Sequence, residues 1–334
     1  QPQEITSLDG LEAFTNVKAL ELKNSQVTDL APLAALTKLE FLDLSGCIAE
    51  DYSPLAKLTG LKTLILEDAS IRDLTPLAGL TELEVLNLRN TPVSDLAPLE
   101  GLTKLFGLHL AGTLVTDFAP IREIYLKLGK YDFELPKEGT VPFTDSRLKE
   151  SVLRILGKNG GDVTIDDVKD VKKLNFSQDW QNGDSIHSIS ALKFFTGLEE
   201  LSIAGNRGLK DLSPLKDLTS LKTIDFCWCD VGDLTPLKDL TNLQVLVFGW
   251  GNHVENLDAL SGLVNLEAID AKNAGIRDVS GLAGLPKLCE GQLCDNEITD
   301  GAPFAKIPNL KVLLLLDNPI TDYSPLDGIA ANLD

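Results

Sequence analysis

Apolar positions recur along this chain with one dominant period. In residues 61–80, LKTLILEDASIRDLTPLAGL, they fall at Leu61, Leu64, Leu66, Ile71, Leu74, Leu77 and Leu80. The register repeats at Leu39, Leu61, Leu83 and Leu105, a constant step of 22 residues. Within this unit Leu64 and Leu66 lie two residues apart, flanked by Thr63 and Glu67, the spacing of a strand with one buried face. The second half ends on Asp-Leu-x-Pro-Leu, which suits a short turn because proline fixes φ. Units of this length cannot bury their apolar face alone. The pattern therefore predicts a solenoid with one strand per turn.

Full repeats of a first block start at Val17, Leu39, Leu61, Leu83 and Leu105, after an opening half-repeat at Ile5, Leu8, Leu11 and Phe14. A second block opens at Ile186, Ile189, Leu192 and Phe195. Its repeats start at Leu198, Leu221, Leu243, Leu266, Leu288 and Leu310, so two of its steps are 23 residues rather than 22. Asp29, Asp51, Asp73, Asp95 and Asp117 form a column. We read it as carboxylates accepting backbone N–H bonds in the turns, not as a metal ladder; no metal and no cofactor is expected. Residues 125–143 lack the repeat. Tyr125, Leu126 and Leu128 are placed over the open end of the first stack, and Pro136, Gly139 and Pro142 read as a linker. From Thr144 the spacing of Leu148, Val152, Ile155 and Leu156 predicts a helix stopped by Gly157. Thr164 and Asp167 open a second short helix, expected to run from Val168 to Val171. The expected segments are 1–124, a first array; 125–143, cover and linker; 144–178, a helical N-terminal cap; and 179–334, a second array.

The unit fits L-x-x-L-x-L-x-x-N-x-L. With its D-L-x-P-L ending, as in residues 73–77 and 233–237, it resembles internalin-like bacterial leucine-rich repeats. FTDSRLKESVLRILGKNGGDVTIDDVKDVKKLNFS resembles the helical cap that precedes such arrays. The resemblance implies an α/β fold of two tandem right-handed leucine-rich repeat horseshoe arrays with a small helical cap between them. It also implies a non-enzymatic, secreted or wall-attached binding protein that presents a concave face to a protein partner.

Charge narrows the partners. The formal net charge is −20, and residues 181–334 carry 11 basic against 22 acidic side chains. Such a field disfavours nucleic acid and anionic membrane surfaces. No apolar run reaches the length of a membrane span. The first residue is Gln1, so the lack of a leader says nothing against an extracellular location. Five cysteines, an odd number that forms no short-spaced secreted framework, leave a cytoplasmic scaffold as an alternative. Cys47 and Cys229, in the ninth repeat position, are expected to be buried structural thiols. The three histidines are scattered, and no catalytic motif is present. Cys227 with His253 is the one thiol pairing considered, and it is set aside.

In this pattern positions 3, 5, 7 and 8 of each repeat are expected to face outward from the concave sheet. The eighth column of the second block includes Trp228 and Trp250 in adjacent repeats, and the chain has only three tryptophans. The third, Trp180, sits in a longer loop by the start of this column. With Asp225, Cys227 and Val247 these aromatics form the expected ligand-binding recess, for a protein or alternatively for a glycan. Val312, Leu314 and Leu316 make a second, apolar contact patch. A missing neighbour, self-association or a partner would each account for it.

Overall fold

The computed structural model describes residues 5–177 and 185–330. The chain forms two compact units. One comprises residues through Glu138 with Pro142–Ser146; the other comprises Gly139–Val141 and residues from Arg147 onward.

The first unit holds a parallel sheet of six strands in chain order: β1 (Ala19–Glu21), β2 (Phe41–Asp43), β3 (Thr63–Ile65), β4 (Val85–Asn87), β5 (Gly107–His109) and β6 (Lys130–Tyr131). Register is in step with the repeat, Leu20 beside Leu42 and Leu64 beside Leu86. Leu42, Leu44, Leu64, Leu66, Leu86 and Leu88 are completely buried, as the alternation requires. The proline half of each repeat is a single 3-10 turn, such as Thr75–Leu77, with Pro at its start. Each column aspartate accepts the backbone N–H two residues on, at 2.8 Å for Asp73 and Thr75. The same bond recurs at Asp29, Asp51, Asp95 and Asp117. These carboxylates cap turns.

The end of this unit departs from expectation. Residues 125–143 do not simply link: β6 pairs in parallel with β5, adding a strand without the leucine signature. Phe133 stacks on Phe118 with ring centroids 5.6 Å apart, and Tyr125 meets both Tyr131 and Phe133. Leu126, assigned above to cover the stack end, is instead 80% exposed. Aromatic area does the covering, and a two-residue strand leaves no period to read.

From Arg147 the second unit takes up α2 (Ser146–Ile155), which follows α1 (Arg122–Tyr125) of the first, and continues with α3 (Ile165–Val168). The second short helix thus starts directly at its cap and ends at Val168. Thr164 and Asp167 form a reciprocal capping box, which pins the first turn. The Asp167 carboxylate also binds the Lys158 ammonium. A Cβ on Gly197 would meet the Lys169 carbonyl at 2.5 Å, so the chain after α3 lies directly on the first turn of the array. The sheet then runs β7 (Lys173–Asn175), β8 (Glu200–Ser202), β9 (Thr223–Asp225), β10 (Val245–Val247), β11 (Ala268–Asp270), β12 (Glu290–Gln292) and β13 (Val312–Leu314).

Lys158, with the Thr164 backbone and hydroxyl, holds the Asp167 carboxyl down to about 2. A carboxyl depressed in the folded state stabilises fully above its unfolded value, about 4, and loses that contribution as pH falls through its folded value. Asp167→Asn is therefore expected to loosen the α3 segment at pH 6, measured by amide hydrogen exchange. The difference from the parent protein should shrink as pH falls from about 4 and vanish only below about 2.

Candidate functional site

Each strand of the leucine-rich repeats is only three residues long, covering repeat positions 3 to 5. The chain must then turn sharply, and position 8 takes up that turn in the left-handed region. Asn24, Asp68, Asn90, Asn273, Asp295 and Asp317 have φ between 52° and 59°, and Gly46, Gly112 and Gly205 are also positive. These are the residue types that enter this region at low cost. Two positions break the rule: Trp228 and Trp250, both with φ of 58°. For a bulky side chain this conformation costs about 1–2 kcal/mol. The eighth column therefore lies in the turn beyond each strand, not on the strand face where the sequence reading placed it.

The two indoles stack on each other, centroids 5.6 Å apart and planes inclined by 10°. Beneath them, in the sixth column, Phe226 and Phe248 stack at 5.4 Å and are fully buried. The inner pair thus repeats the spacing that the outer pair displays. Trp228 is 40% and Trp250 37% exposed. Aromatic stacking contributes about 0.5–1.5 kcal/mol beyond area burial, enough to offset part of the backbone strain. The Arg207 guanidinium, from the preceding turn, lies 5.6 Å from the Trp228 ring centroid.

Buried asparagine amides hold these turns. Asn252 donates to the Phe226 carbonyl at 3.1 Å and the Phe248 carbonyl at 2.7 Å, and accepts the Val231 N–H at 2.9 Å. Asn206 does the same two repeats earlier, donating to the Phe176 and Ile203 carbonyls and accepting the Ile186 N–H. Cys229 occupies the ninth position between them, 3% exposed. Burial pushes its thiol up to about 12. Cys227 is raised to about 12 by burial, then by the Asp225 carboxylate. Both remain protonated at neutral pH, which disfavours thiolate chemistry.

The recess differs from the one expected. An open hollow of about 350 Å³ adjoins Trp228 on its loop side, lined by Arg207, Gly208, Trp228, Cys229, Asp230 and Gly251. Asp225, Cys227 and Val247 do not line it. Asp225 is already engaged by the Ser202 hydroxyl at 2.9 Å and the Cys227 N–H at 3.1 Å. Trp180 lies outside the described residues. Arg207 and Gly251 escaped the sequence reading, although a signal existed. Both 23-residue repeats place their extra residue in the turn beside the tryptophan pair.

The second patch is present at the edge of the sheet, where β13 pairs with β12. Val312 is half-buried, Leu314 44% and Leu316 72% exposed. On the outward face of the first sheet the polar side chains engage one another. Arg89 donates to Asp132 at 2.6 Å, with its guanidinium 3.3 Å from His109 Nδ1, and Asn87 donates to Glu67 at 3.0 Å. Among the described residues no cluster of three potential metal ligands occurs, and no helix is long and apolar enough to cross a membrane.

Residues 59–101 match the family described as Leucine Rich repeats (2 copies). No curated protein matches the chain. Among solved structures, an internalin (InlF) from Listeria monocytogenes is 27% identical over 99% of this chain and 83% of its own, with a TM-score of 0.46. An internalin C2 from the same organism is 24% identical over 78% and 83%, TM-score 0.36. A leucine-rich-repeat protein of Leptospira interrogans is 19% identical over 98% and 86%, TM-score 0.45.

Proposed function

We propose that this chain, an internalin-like leucine-rich-repeat protein, is a non-enzymatic module that binds a protein partner through the turn edge of its second array, centred on Trp228 and Trp250. One observation carries the reading. Two large aromatics occupy strained left-handed positions that Asn, Asp or Gly fill elsewhere, and they remain exposed. Strain retained at a surface position marks function more often than packing, and tryptophan is the residue most enriched at binding hot spots. The Leu314–Leu316 edge is a secondary contact. A location at or outside the bacterial cell surface follows the resemblance of the repeats and cap, and fractionation of the source cells tests it; recovery from the cytoplasm would favour the scaffold alternative.

The experiment uses Trp228→Asn with Trp250→Asn. Asparagine relieves the backbone strain while removing the stack, so the melting free energy should stay within about 1 kcal/mol of the parent. Partner capture from host or envelope extracts should fall by at least tenfold. Equal capture by a folded double variant would refute the reading. A glycan array probed with both proteins gives no hits on this account; hits lost in the double variant would replace the protein partner with a sugar.

A further inference from the structure

The hollow beside Trp228 is lined by an arginine whose charge the protein does not answer. Residues 181–334 contain two arginines. Arg277 pairs with Glu297 at 2.7 Å and Glu255 at 3.5 Å. Arg207 meets the Trp228 ring, and among the described residues its guanidinium has no carboxylate partner and donates no hydrogen bond. A cation over an indole is held by the ring quadrupole. That attraction helps to place the guanidinium and leaves its N–H donors without an acceptor.

An irregularity in the repeat puts the arginine there. Arg207 and Gly208 stand where the next repeat has Asp230 alone. Gly208 has φ of 95°, and a Cβ on it would meet the His187 ring at 3.0 Å. Glycine thus lets the longer turn lie close against that ring while Arg207 reaches the neighbouring indole.

Charge at the hollow differs from charge on the array. Residues 181–334 carry 22 acidic against 11 basic side chains. Asp230, the carboxylate on the lining, has the Lys210 ammonium 3.4 Å away, so it does not neutralise Arg207. At physiological salt exposed charges act over about 8 Å, and a group in the hollow senses Arg207 and Lys210 before the distant acids. Farther along the same turn edge Asp295 and Asp317 are exposed, and an acidic side chain there would meet like charge.

Resting on the reading of the tryptophan pair as the contact surface, we propose that the hollow receives an acidic side chain of the partner protein. Arg207 donates paired N–H bonds to its carboxylate, the fork-to-fork arrangement that guanidinium and carboxylate planes favour. The stem of that side chain lies against the Trp228 edge of the hollow. A neutral side chain would leave the guanidinium without a counter-charge, and a basic one would be repelled by it.

The test uses the full chain carrying Trp180→Phe, so that emission reports only Trp228 and Trp250. Short synthetic peptides of one serine and leucine sequence, blocked at both ends, carry a central glutamate, glutamine or lysine. The glutamate peptide should perturb the emission saturably, more weakly as salt rises, and the other two should not. Arg207→Gln should weaken glutamate-peptide binding about tenfold or more. Arg207→Lys keeps the charge without the fork and should lose less. The charge-matched control Lys216→Gln, exposed in the proline turn of the same repeat, should leave binding unchanged. No saturable binding of the glutamate peptide, equal binding of the glutamine peptide, or equal losses in Arg207→Gln and Lys216→Gln would each overturn the proposal. If the double tryptophan variant loses partner capture while Arg207→Gln retains it, the carboxylate assignment falls and the contact surface stands.

Discussion

Gly281→Pro, which restores the repeat's own consensus, is expected to destabilise the second array by about 3 kcal/mol or more, at or beyond the upper end of the usual cost of overpacking. Consensus substitutions normally stabilise. Here the local backbone forbids it. In most repeats the turn reads like Asp233-Leu234-Thr235-Pro236-Leu237, but two neighbouring repeats read Asn256-Leu257-Asp258-Ala259-Leu260 and Asp278-Val279-Ser280-Gly281-Leu282. Those two turns approach closely enough to form a parallel bridge between Asn256 and Asp278, and the Leu257 N–H donates to the Asp278 carbonyl at 3.2 Å. A Cβ on Gly281 would sit 2.0 Å from the Leu257 carbonyl oxygen and 2.4 Å from its carbon. Backbone cannot rotate away as a side chain can. Gly281→Ala should show most of the same loss, which separates the clash from any effect of the proline ring. Chemical denaturation checks both; a gain in midpoint for Gly281→Pro would mean that the two turns part readily.

Asn252→Ala is expected to cost about 3 kcal/mol. The amide serves three backbone groups, Phe226 and Phe248 carbonyls and the Val231 N–H, at a site only 1% exposed. Each group left buried without a partner costs about 1–3 kcal/mol, less what relaxation or water recovers. The same carbonyls precede the two tryptophan turns, so the variant should also disturb the indole stack. Asn252→Asp keeps the acceptor but loses the two donors, and should be as damaging at neutral pH. Thr91, which takes the ninth position of a repeat in the first array, donates its hydroxyl at 2.7 Å to the Leu88 carbonyl three residues back. Replacement there should cost less, about 1 kcal/mol. A loss below 1 kcal/mol for Asn252→Ala in urea denaturation would show that the turn closes on itself without the amide.

Much of this architecture can be read from the chain because it depends on short-range rules repeated many times. Leucines at positions 4 and 6 are buried throughout the inner repeats, and only Leu20, Leu313 and Leu315 of the terminal repeats stay half-buried; each column aspartate finds the N–H two residues on. Elements that occur once were harder to read. The strand at Lys130–Tyr131 carries no leucine pattern, because its inward contacts come from Phe133 and the tyrosines around it. The tryptophan pair was visible as two rare residues one repeat apart. Its setting was not, because alternation along a strand was extended past the strand's end. The column of Asn, Asp and Gly at that position was the available sign that the backbone there is left-handed. The hollow beside Trp228 depends on Arg207, Gly208 and Gly251, residues in the two irregular repeats, whose single insertions were legible as numbers but not as shapes.

The most direct test of the central claim is acrylamide quenching of the Trp180→Phe protein, alone and with its captured partner. The remaining emission then comes from Trp228 and Trp250. We expect red-shifted, readily quenched emission in the free protein and marked protection when the partner is bound. Blue-shifted emission that resists quenching in the free protein, or emission that the partner leaves unchanged, would contradict a contact surface built on this pair.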